Sequence, residues 1–77
     1  MEFDVDPVEL ADARAMAASG AARRIRVASR LSLSEVAREV GVTPAAVQKW
    51  ETAVMLPKGE RAVLYVRLLR RLLKGPT

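Results

Sequence analysis

The sequence contains no cysteine and no histidine. Those absences exclude disulfides, thiolate chemistry and the usual zinc ligands, and they leave no nucleophile–base pair of the common kinds. Neither convergent carboxylates nor a glycine-rich phosphate loop is present, so no enzymatic activity, metal site or cofactor is expected. No spare pocket for a small-molecule effector is implied either. The longest uninterrupted apolar run is five residues, Ala62–Val66, far short of the ~20 needed to span a bilayer as a helix. The chain opens on acids rather than on a basic stretch before an apolar core, so no signal peptide is expected, and a reducing cytosol permits folding. With 77 residues the chain makes one domain at most, burying only about 60% of its unfolded surface. The expectation is a cytoplasmic, soluble domain.

Charge is abundant and unevenly placed. The net charge is +4, from 13 bases and 9 acids. Five of the acids (Glu2, Asp4, Asp6, Glu9 and Asp12) fall in the first twelve residues, which hold no base. The remaining 65 residues therefore set 13 bases against 4 acids. A small cationic body suits a polyanion, nucleic acid before an acidic membrane surface. Arginine, the better phosphate fork, outnumbers lysine. A merely solubilising surface would carry similar charge, so charge is suggestive only.

Alanine, leucine, arginine and glutamate dominate and no two-residue alternation persists, which predicts an all-α fold. Asp6-Pro7-Val8-Glu9 opens the first helix, with Asp6 as cap, Pro7 in the first turn and Glu9 placed to complete a capping box. Helical character runs to about Ser29, weakest at Ser19-Gly20. Either one long helix bends there or, as the reading favours, a short N-terminal helix precedes a core helix over Ala21–Ser29. Ser32 and Glu35 form a second capping box, and Gly41 stops that helix. Thr43-Pro44 opens a third, Pro57 and Gly59 mark a loop, and Glu60–Lys74 forms the last helix, ended by Gly75-Pro76. The division expected is an acidic N-terminal segment with a short helix, 1–20, and a functional domain, 21–74.

Within residues 33–52 the apolar positions share faces. Val36, Ala37 and Val40 lie on one side of the second helix, and Val47, Trp50 and Glu51 on one side of the third. A small Ala37 permits close approach, Val42 plugs the corner, and the tight turn at Gly41 lets both helices bury a face against one core. The stretch "RRIRVASRLSLSEVAREVGVTPAAVQKWE", followed by "LPKGERAVLYVRLL", resembles the helix-turn-helix of the Xre/Cro/phage-repressor family over about residues 21–73. "EVAREVGVTP" with "WE" and "MLP" is also similar to MerR-type winged helices, but those begin at the motif, and the upstream helix favours the Xre type. The resemblance implies a lambda-repressor-like bundle of 4–5 helices.

It also implies roles. The third helix, 44–53, would enter the major groove, with Pro44, Ala45, Gln48 and Lys49 at base edges: Gln48 suits adenine, Lys49 guanine, and Pro44 and Ala45 offer only apolar contact. A reading face so poor in hydrogen-bonding groups leaves room for recognition through DNA shape. Phosphate contacts would fall to Thr43, Arg38, Thr52, Lys58, Arg23, Arg24 and Arg30. Glu51, an acid on an inward face, would pair with Arg26, fixing orientation more than adding stability. Trp50 reads as core rather than as a base-stacking indole.

Three positions depart from the family pattern. Leu33 stands where a polar phosphate contact is common. Ala53 replaces a helix-ending glycine and would let the third helix run on. Val54-Met55-Leu56 is apolar where polar residues are commoner, and Val54 and Leu56 either fold back as core or form a patch needing cover. The closing helix is apolar on several sides. Ala62, Tyr65, Leu69 and Leu72 can face the core. Val63, Val66 and Leu73, with Val54, Met55 and Leu56, would meet a second copy in a homodimer, unless the N-terminal helix covers that side through Val8, Leu10 and Met16. The function implied is a sequence-selective, repressor-like regulator binding double-stranded DNA at the nucleoid of a bacterial or phage-infected cell. A DNA-bending or recombination-directionality factor, and an antitoxin-like protein-interaction module, remain open alternatives.

Overall fold

Among the described residues the chain folds into five helices, and side-chain caps open the first, third and fourth of them. In the computed structural model, which describes residues 3–75, the helices are α1 (Pro7–Ser19), α2 (Ala21–Ala28), α3 (Leu33–Val40), α4 (Pro44–Glu51) and α5 (Gly59–Lys74). Glu2 of the acidic run and Pro76 at the expected end of the last helix lie outside the described residues. Asp6 accepts a hydrogen bond from the Val8 amide at 2.9 Å, with Pro7 opening the first turn. Glu9 does not complete that capping box, because its carboxylate turns to Arg67 instead. The second box does close: Ser32 Oγ accepts from the Glu35 amide at 3.0 Å, and a Glu35 carboxylate oxygen from the Ser32 amide at 2.9 Å. The Ser32 amide first, and the Ser32 hydroxyl second, hold the Glu35 carboxyl below its ordinary pKa. At Gly20 the chain turns left-handed, φ +86°, so α1 and α2 are separate helices.

The end of α4 corrects one expectation. Ala53 does not extend the helix to 53; it takes φ +60° itself and closes α4 at Glu51. The Ala53 amide bonds to Trp50 O at 3.2 Å and the Val54 amide reaches back to Lys49 O at 3.0 Å, the bond pair of a Schellman ending. A left-handed backbone costs a residue with a β-carbon about 1–2 kcal/mol, while glycine loses roughly 0.5–1 kcal/mol through its freer unfolded state. Ala53→Gly is therefore expected to stabilise the domain by about 0.5–1 kcal/mol, read as a higher Tm by circular dichroism. An unchanged or lower Tm would mean that the left-handed turn is not strained.

The core lies where α3, α4 and α5 meet, filled by Val36, Ala37, Val40, Val47, Trp50, Tyr65, Leu68 and Leu69, with Ala17 and Ala22 from α1 and α2. The Trp50 and Tyr65 rings pack tilted, centroids 4.8 Å apart. Burial pushes the Tyr65 phenol well above its ordinary pKa, and the nearby Glu51 carboxylate adds to the effect.

On its other side α5 is covered by α1. Ala13, Ala17, Ala62, Val63 and Val66 have essentially no exposed surface, and Leu10 and Met16 pack at the edge of the Ala13–Ala62–Val66 cluster. Small side chains on α1 allow that close approach. Val63 and Val66 are thus sealed inside a single chain and out of reach of a second copy, which corrects their assignment to a dimer interface. Polar ties rim the seam. Arg67 forks onto Glu9 at 2.9 and 3.1 Å, Arg70 bonds Asp12, and Arg14 Nε donates to Pro57 O at 3.1 Å, fastening α1 to the loop after α4. The Arg67 hydrogen bond lowers the Glu9 pKa. No described helix is long and apolar enough to cross a membrane.

Candidate nucleic-acid interface

The α3–α4 corner is built on Gly41, φ +85°, whose amide and that of Val42 both bond to Ala37 O, at 2.8 and 3.0 Å. The chain leaves the corner extended, and Thr43 Oγ1 accepts from the Ala46 amide at 3.1 Å to start α4. Val47 and Trp50 are buried and aim α4 into the core. Thr43, Pro44, Ala45, Gln48, Lys49 and Thr52 are all exposed. Nothing else in the chain's described residues covers that outer face.

Two details refine what the face offers. Pro44 has no N–H and the Ala46 amide is taken by Thr43, so the helix start contributes its partial positive charge more than free donors. The Thr43 hydroxyl keeps its own proton to donate. The Thr52 hydroxyl instead donates back to Gln48 O at 3.0 Å, which leaves it little to give an anion.

At the far end of α4, Glu51 sits under a two-pronged fork. Arg26 Nε donates to one carboxylate oxygen at 2.6 Å and Nη2 to the other at 2.9 Å, while Nη1 reaches Leu31 O at 3.0 Å. The side chains are 13% and 4% exposed. The fork joins α2, the α2–α3 loop and the end of α4, and the Glu51 hydrogen bond holds the Arg26 pKa above its ordinary value.

The bases divide into two sets. Arg14, Arg26, Arg61, Arg67, Arg70 and Arg71 are engaged with carboxylates or backbone carbonyls inside the fold. Among the described residues, Arg23, Arg30, Arg38, Lys49, Lys58 and Lys74 are exposed and make no side-chain hydrogen bond or ion pair within the chain. Arg24 touches Ser19 O only at 3.5 Å. Every member of the free set except Lys74 is singled out by the sequence, whereas Arg61, whose Nη1 donates to Val40 O at 3.2 Å, is not. No local spacing signals a contact across 21 residues. Arg30 sits at φ +59° in the Schellman ending of α2, its neighbour's amide reaching Arg26 O.

The apolar residues proposed for a dimer do not form one surface. Val54, Met55 and Leu56 are exposed beside the end of α4, Val54 at 72%, so they do not fold back as core. Leu73 is exposed near the other end of α5, roughly 20 Å along the helix from its start.

A helix-turn-helix family model matches residues 23–73, about two thirds of the chain. Comparison with curated proteins and with solved structures returned no match.

Proposed function

We propose, since this chain belongs to the Xre and lambda-repressor-like helix-turn-helix family of DNA-binding regulators, that it is a sequence-selective repressor which lays α4 in the major groove of double-stranded DNA. The observation carrying this reading is the pairing of an uncovered outer face on α4 with a set of exposed bases that the fold does not use. Gln48 and Lys49 would read base edges, helped by apolar contact from Pro44 and Ala45. Thr43, Arg38, Lys58, Arg23, Arg24 and Arg30 would hold the backbone, with Thr52 demoted by its bond to Gln48 O. Residues 21–74 would carry the reading surface, and α1, within the segment 1–20, would brace it from behind α5.

Because one short helix reads few base pairs, a second copy is expected on a two-fold-symmetric site. Its contact would use the exposed Val54-Met55-Leu56 patch. That same patch supports a second reading, a protein-interaction module of the antitoxin kind, if a different protein covers it.

Selection of bound duplexes from a random pool, followed by titration at several salt concentrations, tests the reading. The logarithm of the affinity should fall with log salt by about 0.9 for each phosphate neutralised. Lys49→Ala should blunt discrimination between selected and scrambled duplexes, while Arg38→Ala should weaken both alike and flatten the salt slope by about one contact. Undiminished discrimination in the Lys49 variant would remove Lys49 from the reading face.

A further inference from the structure

We propose that Arg61 is a positioning residue for α4: its guanidinium clamps the α3–α4 corner onto the first turn of α5 and so sets the angle at which α4 is presented. The inference rests on the reading of α4 as the DNA-reading helix.

Arg61 Nη1 donates to the carbonyl of Val40 at 3.2 Å. Val40 is the last residue of α3, so its carbonyl belongs to the group that a helix end leaves without an intrahelical partner. A cation there also meets the negative end of the α3 dipole. The guanidinium continues across Gly41. A β-carbon at that position would stand 2.8 Å from Nη1, 3.3 Å from Cζ and 3.8 Å from Nη2. The φ of +85° favours glycine at 41, and the guanidinium, the end of a flexible side chain, lies over the space a β-carbon would enter. The other tied arginines of α5 grip carboxylates on α1 and α3; among the described residues, Arg61 is the base of α5 that holds a backbone carbonyl at the corner.

The fork on Glu51 fixes the end of α4 and Val47 and Trp50 fix its middle. Arg61 supplies the restraint at its beginning, next to the side chains assigned to base edges. A lysine could reach the same carbonyl but, as a compact point charge, could not also lie over Gly41.

The test compares wild type, Arg61→Met and Arg61→Lys in two measurements. The first is amide hydrogen exchange at Gly41 and Val42, referenced to Val66 and Leu69 in α5, without DNA. Arg61→Met should accelerate the two corner amides about tenfold relative to the α5 amides, the scale of one charge-assisted hydrogen bond, and Arg61→Lys should restore only part. The second is affinity for the selected duplex against salt. Arg61→Met should bind about tenfold more weakly with the wild-type salt slope. Corner amides that keep pace with α5 would overturn the clamp. A salt slope reduced by about 0.9 would overturn positioning in favour of a phosphate contact. If wild type retains no duplex, the DNA reading fails by itself, and the exchange measurement still decides whether Arg61 holds the corner.

Discussion

Replacing Arg26 with methionine is expected to bring the domain to the edge of unfolding. The Glu51 carboxylate, 4% exposed, would lose both prongs of its fork while staying out of water. Removing one partner of a buried pair costs about 3–5 kcal/mol. At roughly 0.05–0.15 kcal/mol per residue, a chain of this length has about 4–12 kcal/mol in total, and small domains lie toward the low end. The Leu31 carbonyl loses its donor too. Adding Glu51→Leu should recover most of the loss, because a well-packed apolar pair commonly matches or exceeds a buried ion pair in stability. Urea unfolding of the two single variants, the double variant and wild type measures this. Single-variant losses under about 1 kcal/mol, the range of exposed pairs, would show that the fork is effectively solvated. A double variant no better than the singles would show that the site cannot be repacked.

The second large effect is expected from removing α1. The family match begins at Arg23, inside α2, so α1 lies beyond the matched region, yet it lines the core. A chain beginning at Ala21 would uncover Ala62 and Val66 and give up the contacts of Leu10, Ala13, Met16 and Ala17. Burial of side chains of this kind contributes on the order of 5 kcal/mol in sum, comparable with everything the domain has. The truncated chain is expected to show no cooperative thermal transition by circular dichroism at micromolar concentration. A cooperative melt near the wild-type temperature would mean that α1 is dispensable. A melt that rises with protein concentration would mean that a second copy can cover the face α1 leaves.

Signals that act over three or four residues were readable from the chain alone. Asp6, the Ser32–Glu35 box, Gly41 and Thr43-Pro44 each mark a helix end through bonds to near neighbours. Choices made by distant parts of the chain were not. Glu9 was placed to cap its own helix but is drawn to Arg67, 58 residues away. Ala53 was read as a helix-continuing residue, yet the chain must turn there to bring α5 back onto the core, and the backbone accepts left-handed geometry without glycine. Val63 and Val66 read as needing cover from either a second copy or the N-terminal helix, and periodicity could not choose between them; Val66 packs against Ala13 of α1, and Val63 has no exposed surface. On the candidate surface, outward positions of α4 followed from helical spacing, whereas the Arg61 contact needed the tertiary arrangement.

α2, α3 and α4 have eight residues each, little more than two turns. Isolated helices of fewer than about 12–15 residues hardly persist in water. No excised peptide should therefore keep the shape of the corner, and grafting it elsewhere would require transplanting the surrounding scaffold as well. On warming, occupancy of a target duplex should vanish together with the global melt instead of fading ahead of it, so the protein would behave as an all-or-nothing thermal fuse.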